Sequence, residues 1–174
     1  MARLAPHGHT RYKGKPSFIY LGYRLTAMQF NLEIDRSHYA IRSYGPGEVT
    51  VTIPRDSQDP APGALDAIGP DSSRLRQEIL SRSAIITPTR LVRDWPPQSF
   101  GELAPSHMHI LLELAPEIVL LGSGNSLLWP DAAIVAPLAE AGIGYEIMNT
   151  AAACRTYNIL MGDGRRVAAA LLMI

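Results

Sequence analysis

The sequence predicts an α/β fold: a single domain with a mixed β-sheet, in which an N-terminal antiparallel meander leads into a C-terminal βαβ-type crossover flanked by helices. Apolar and polar residues alternate along 30–34 and 49–53, as they do in half-buried strands. Further along, the apolar runs 118–121 and 145–148 enclose a helix-like segment, which indicates a parallel crossover. The chain has 174 residues, 47% of them hydrophobic, enough for one domain with a substantial core.

The meander is expected to contain residues 39–41, pairing between the two alternating runs, and a turn at 43–47 (Ser-Tyr-Gly-Pro-Gly). Residues 55–73 are predicted to form a long loop, either mobile or functional, because they offer little to bury. Leu75, Ile79 and Leu80 allow a short helical turn. A buried strand should follow at 84–87, ended by Pro88, with a further extended piece at 91–92.

The rest of the chain is predicted to alternate helices with strands. Ser99 and Glu102 have the spacing of a capping box, and Ser106 should open a helix that Pro116 ends. A helix is expected at 132–141, which Pro137 either kinks or divides, and a final helix at 151–161 before a last strand at 166–173.

The balance of charges limits the class of partner. Sixteen basic and sixteen acidic residues give a net charge of zero, which argues against nucleic acid and anionic membrane surfaces as partners. No apolar run approaches the ~20 residues of a membrane-spanning helix. The single cysteine fits a reducing compartment and leads us to expect a cytoplasmic protein, or a mitochondrial matrix protein if the source is eukaryotic.

Residues 1–27 differ from the remainder in composition. Five basic residues precede the first acidic one, Glu33, and scattered Gly and Pro interrupt any amphipathic helix. We expect residues 1–27 to be a flexible basic arm or a leader, and 28–174 to be the domain. Natural translation from Met28 is an alternative.

Several segments of the domain resemble one protein family. They are Ile86–Pro88, Asp94–Pro96, Pro116–Gly124, Ala141–Met148 and Thr150–Asn158. They are similar to small uncharacterised bacterial and archaeal proteins whose mitochondrial members are respiratory complex I assembly factors (alpha subcomplex assembly factor 3). The resemblance extends over roughly Met28 to Met173 and implies an α/β fold and a possible protein partner in respiratory complex assembly.

A candidate site follows from the predicted crossover, because loops at the carboxyl ends of parallel strands line a common crevice. Two polar clusters fall there, and their members are the candidate ligand-binding residues: Gly122, Ser123, Gly124, Asn149, Thr150, Cys154 and Arg155. The Gly-Ser-Gly segment could bring backbone amides close to a phosphate or carboxylate, or could simply be a tight turn. It lacks the further glycine of a dinucleotide fingerprint and the Lys-Ser/Thr pair of a P-loop.

The other members of the clusters also have two interpretations each. Cys154 is either a nucleophile activated by Arg155 or a small packing residue. Arg155 either pairs with Glu146 across a buried surface or binds an external anion. Asn149 and Thr150 are either helix caps or hydrogen-bonding partners of a ligand.

No catalytic residue, metal ligand or cofactor is predicted. His107 and His109 are two positions apart, which on a helix directs them to different sides. Trp95 and Trp129 are expected to cover the edge of the core.

The primary hypothesis for function is a non-enzymatic interaction or assembly factor that acts through an exposed surface around the glycine turn and the final helix. The alternative is a small-anion-binding protein or enzyme with its site at Gly122–Gly124 and Asn149–Arg155. A structural subunit of a homo-oligomer is the third. Enzymatic activity is left open, with the balance against it.

Overall fold

The computed structural model describes residues 28–29, 37–57, 65–68 and 74–173. The predicted arm at 1–27 and the predicted strand at 30–34 lie outside these residues. The first half of the described chain forms a five-stranded antiparallel sheet with the order β1-β2-β3-β5-β4. Its strands are β1 (Met28–Gln29), β2 (Ala40–Gly45), β3 (Glu48–Thr52), β4 (Leu65–Ile68) and β5 (Arg74–Leu80).

This sheet confirms the predicted pairing of β2 with β3, and its turn is at Pro46-Gly47, where Gly47 has a φ of 74°. Two predictions about the following segment are wrong. Leu65–Ile68, assigned to the long loop, forms β4, and the segment with the predicted helical turn forms β5. The apolar spacing of Leu75 and Ile79 fits one helical turn, but β5 pairs with both β3 and β4, and this tertiary pairing overrides the local pattern.

The second sheet is mixed and has the order β7-β6-β10-β8-β9. Strand β8 pairs in parallel with β9 and β10, while β6 and β7 are antiparallel. The strands are β6 (Ala84–Ile86), β7 (Leu91–Val92), β8 (Ile118–Gly122), β9 (Gly144–Met148) and β10 (Val167–Leu171). The predicted crossover and last strand are confirmed. The meander, however, forms a separate sheet.

Three α-helices complete the described chain: α1 (His109–Leu114), α2 (Ala132–Glu140) and α3 (Thr150–Gly162). Two 3-10 turns precede α1, at Phe100–Glu102 and Pro105–Met108. Helix α1 ends at Ala115, whose φ of 46° reverses the chain before Pro116. Pro137 is accommodated within α2 and does not divide it.

The second sheet has a hydrophobic layer on each face. Strand β10 is buried along its whole length, as expected for a parallel strand covered on both sides. Ala169 and Leu171 face a core shared with α3 and the first sheet, whereas Ala168 and Ala170 face α1 and α2. The first sheet and α3 therefore pack together against one face, and the shorter helices cover the other.

Candidate functional site

The two predicted polar clusters meet at the carboxyl ends of β8 and β9. Ser123 donates its N–H to the Met148 carbonyl at 2.8 Å, and Thr150 donates its N–H to the Gly124 carbonyl at 2.9 Å. We call Gly122–Gly124 together with Met148–Thr150 the rim corner. The predicted adjacency of residues 123 and 150 is therefore confirmed, and it follows from the parallel register of the two strands.

Gly122 allows the rim corner to close. A Cβ on Gly122 would lie 2.9 Å from Thr150 Oγ1 and 3.1 Å from Thr150 Cα, distances that real Cβ atoms avoid. Gly124 has a φ of 95°, a backbone conformation that disfavours side chains. The two glycines thus serve close approach and tight turning, which is the structural interpretation of Gly-Ser-Gly.

The hydroxyl groups of the rim corner are used within the protein. Thr150 Oγ1 donates to the Leu172 carbonyl at 2.5 Å and accepts the Gly124 N–H at 2.9 Å. Ser123 Oγ accepts the Leu128 N–H at 3.1 Å and lies 2.7 Å from the Ser126 carbonyl, to which it can donate. Both side chains are buried. Their hydrogen bonds connect the loop after β8 to the start of α3 and to the chain after β10.

Asn149 is the N-cap of α3, as predicted: its Oδ1 accepts the Ala152 N–H at 2.8 Å. Thr150 does not cap the helix, because its hydroxyl bonds to Leu172 beyond the neighbouring strand. These contacts attach the first turn of α3 to the second sheet.

Cys154 is a packing residue. Its side chain has no exposed surface and lies in the core between α3 and the two sheets. Burial raises the pKa of its thiol to about 12, and the nearby Arg155 charge offsets only part of this effect. The thiol is therefore protonated at neutral pH, which does not suit a nucleophile.

The predicted ion pair between Arg155 and Glu146 is wrong. Arg155 is exposed, so its charge needs no buried partner, and its Nη1 donates to the Tyr44 hydroxyl of β2 at 2.6 Å. Glu146 is also exposed, in the middle of β9. Of the seven candidate ligand-binding residues, Arg155 is the one that brings a charge to the surface.

Two residues missed as important by sequence reasoning follow Cys154 and Arg155 on α3. Tyr157 donates its hydroxyl to the Tyr39 carbonyl at 2.6 Å. Asn158 Oδ1 accepts the Ile41 N–H at 2.9 Å, and its Nδ2 donates to the Ile41 carbonyl at 2.7 Å. Both are buried and attach α3 to β2 and to the residue before it, so this part of the resemblance motif is structural.

The loop between β8 and α2 carries a second feature that the sequence reasoning missed. Leu127, Leu128 and Trp129 are 49%, 43% and 71% exposed, and we call this segment the apolar loop. The prediction that Trp129 covers the core edge is wrong. Trp95, by contrast, is fully buried and donates Nε1–H to the His107 carbonyl at 3.3 Å. The sequence signal for this exposed segment was the run of three consecutive apolar residues after a glycine turn.

His107 takes part in a backbone hydrogen bond. His107 Nδ1 accepts the Ala104 N–H at 3.1 Å, which engages one of its ring nitrogens. Within the part of the chain that the structure describes, no three His, Cys, Asp or Glu side chains are grouped as a metal site. None of the helices in the described ranges combines the length and apolar character that crossing a bilayer requires.

Comparison with known proteins identifies the family. A family model described as a protein of unknown function (DUF498/DUF598) matches residues 65–172. The chain belongs to this family. The match covers β4 and β5 of the first sheet, the whole second sheet and the rim corner, and it confirms the resemblance that the sequence motifs indicated.

Two curated relatives show the range of the family. Rat NADH dehydrogenase [ubiquinone] 1 alpha subcomplex assembly factor 3 is 32% identical over 83 residues, covering 47% of this chain and 45% of the relative. The 13 kDa major membrane protein of Francisella tularensis is 36% identical over 67 residues, covering 38% of this chain and 54% of the relative. The chain spans about half the length of these curated relatives.

The fold recurs in solved structures of this group. A protein from Bordetella parapertussis is 31% identical, with a TM-score of 0.59 over 78% of this chain and 96% of that one. Its likeness supports the two-sheet arrangement described above.

Proposed function

We propose that this protein is a non-enzymatic interaction factor that binds a protein partner through the apolar loop, in the manner of an assembly factor. The exposure of Leu127, Leu128 and Trp129 carries this proposal. Contiguous exposed apolar residues mark interaction surfaces, and tryptophan is enriched among the residues that dominate binding energy.

The geometry of the rim corner supports binding of a protein over chemistry on a small molecule. The Ser123 and Thr150 hydroxyls bond within the protein, and the Cys154 thiol is buried with its pKa raised to about 12. These contacts leave no activated nucleophile among the candidate residues. Their physical effect is to fix the loop that emerges between them.

One hydrogen bond holds the middle of the apolar loop, and another caps the helix that follows it. The Leu128 N–H bonds to Ser123 Oγ, and Asp131 just beyond the loop caps α2 by accepting the Ala133 N–H at 2.9 Å. A loop fixed before binding loses less conformational entropy when a partner docks, so the same contacts give higher affinity. The rim corner and the α2 cap thus preorganise the loop.

The family relationship supports the same function. The rat relative carries the name of a complex I assembly factor, and we extend the task of promoting assembly by protein contact to this chain. A respiratory complex subunit is the partner that this relationship favours. We place the protein in the cytoplasm, or in the mitochondrial matrix if the source is eukaryotic.

The proposal is tested by affinity purification of tagged full-length protein from the organism that makes it, with quantitative mass spectrometry. We expect Trp129→Ser and Leu127→Ser to lose most of one specific partner. Ile79→Ser is the matched control, because Ile79 is 48% exposed but lies on the first sheet, whereas Leu127 is 49% exposed. Equal recovery of every bound protein by the Trp129 and Ile79 variants would overturn the proposal.

A further inference from the structure

Strand β9 is an edge of the second sheet as formed by the described residues. The Gly144 N–H bonds to the Glu117 carbonyl and the Met148 carbonyl accepts the Ser123 N–H, so residues 144 and 148 direct their backbone groups toward β8 and its continuations. Backbone direction alternates along a strand in a parallel pair. The N–H and C=O groups of Tyr145 and Ile147 therefore point outward, away from β8.

Proline, lysine and a β-bulge, three features by which proteins block strand addition, are absent from this edge. Strand β9 contains no proline and no lysine, and its register with β8 runs without a bulge from Gly144 to Met148. Tyr145 and Glu146 are both exposed. As far as the described residues show, the edge is open to a sixth strand.

The segment of the chain that contains β9 carries charged side chains of one sign. From Asp94 to Cys154 the sequence has seven carboxylates and no Lys or Arg. This stretch contains β9 and the helix that precedes it, α2. Four of its carboxylates are exposed and form no ion pair with another described residue: Glu113, Asp131, Glu140 and Glu146.

We propose that an extended segment of the partner protein adds to β9 as a further strand, with apolar residues alternating with polar ones and a Lys or Arg opposite Glu146. The inference rests on the proposed function and names the chemistry of the partner. Main-chain bonds to Tyr145 and Ile147 would supply affinity, and the exposed Glu146 carboxylate in the middle of β9 would select a basic segment.

The same charges disfavour a second copy of this chain at the edge. A symmetric antiparallel pair in which Tyr145 bonds to Ile147 of the other copy places the two Glu146 side chains directly opposite one another. Like charges at opposed positions destabilise a strand pair. A basic segment from another protein removes that repulsion and gains an attractive contact.

The test uses a library of nine-residue peptides displayed on phage and selected against the full chain. We expect selection of peptides with alternating apolar residues and a central Lys or Arg. Their affinity should fall with added salt, and bound peptide should slow amide hydrogen exchange at Tyr145 and Ile147. Selection of no peptide, of acidic peptides, or of peptides that protect other amides instead would overturn the inference.

Substitutions separate the edge from the rest of the surface. Glu146→Arg should weaken a selected basic peptide about tenfold, since attraction is replaced by repulsion. Glu48→Arg, at an exposed position on the first sheet, should leave the affinity unchanged. Ile147→Pro removes an outward N–H and should abolish peptide binding. Circular dichroism checks that this variant folds. If Ile147→Pro does not fold, Glu146→Arg still tests the inference.

Failure of this inference is distinguishable from failure of the proposed function. If Trp129→Ser loses the native partner while Glu146→Arg retains it fully, the apolar loop binds the partner but β9 does not. A β9-dependent homodimer in sedimentation experiments, abolished by Ile147→Pro and unaffected by Glu146→Arg, would also contradict the inference.

Discussion

Asn158 offers the sharpest test of how α3 is joined to the first sheet. Its amide is 1% exposed and bonds both backbone groups of Ile41, at 2.9 Å and 2.7 Å. The β2–β3 register shifts between Ile41 and Ser43, so Asn158 pairs with β2 at the start of an irregular stretch. Asn158→Ala leaves a buried N–H and a buried C=O without these partners.

The expected loss is large relative to the stability of a domain. Each orphaned buried group costs about 1–3 kcal/mol, so the variant should be less stable by about 2–6 kcal/mol. The melting temperature should fall by about 6–12 °C for a loss of about 3 kcal/mol in a chain of this size. Urea unfolding followed by the fluorescence of buried Trp95 measures the change.

Asn158→Asp refines this prediction, because a protonated carboxyl group can accept from the Ile41 N–H and donate to its carbonyl as the amide does. Burial disfavours the charged form and raises the carboxyl pKa in the folded state. The stability of this variant relative to wild type should therefore be greater at pH 4 than at pH 7 and should be lost as pH rises.

Asn125→Ala is the control for the loss of an asparagine side chain, because Asn125 is exposed. This variant should unfold at the same urea concentration as wild type. If Asn158→Ala lay within about 0.5 kcal/mol of wild type, like an ordinary surface substitution, the two bonds would not anchor α3.

Three further outcomes follow from the rim corner and the core. Gly122→Ala should lower the free energy of unfolding by about 1–3 kcal/mol, because the added methyl group overlaps Thr150. Gly101→Ala is the control and should be neutral, because no atom lies within 4 Å of its new Cβ. Equal urea midpoints for the two variants would refute the close-approach role of Gly122. Cys154 should resist iodoacetamide at pH 7.5 until the protein is unfolded. The pKa of the Cys154 thiol is about 12 in the folded protein against an ordinary 9.0, so the thiol ionises first in the unfolded protein. The free energy of unfolding should therefore fall as pH rises from 9 to 12, and Cys154→Ala should lack this contribution. Rapid labelling of the folded protein at neutral pH would contradict the burial of the thiol. Ser83→Ala should stabilise the protein by about 1 kcal/mol, because Ser83 Oγ is buried without a hydrogen-bond partner among the described residues. A loss of that size would show that the hydroxyl forms a stabilising hydrogen bond.

The parts of the fold that sequence predicts are those with a strong local pattern. The alternation of residues 49–53 gives β3, and the apolar runs at 118–121 and 145–148 give the parallel crossover with its rim corner. The chain from Arg74 to Leu80 shows the limit. Its apolar spacing matches a helical turn, and its strand conformation comes from pairing with the neighbouring strands β3 and β4.

The site illustrates the same division. Periodicity predicts that Ser123 and Thr150 meet, since parallel strands end at one rim. It does not predict that their hydroxyls bond to Leu128, Ser126 and Leu172, because those partners depend on loop geometry. The exposure of Trp129 is likewise a tertiary property, because an apolar residue beside a proline occurs both on core edges and on binding surfaces.

Photo-crosslinking in the cell shows whether the apolar loop contacts a protein partner. Benzoylphenylalanine placed at position 129 of the full-length protein in its native organism should form one dominant cross-link, identified by mass spectrometry. The same residue at position 79 should not form it. A dominant cross-link of equal yield from both positions, or none from position 129, would contradict the account.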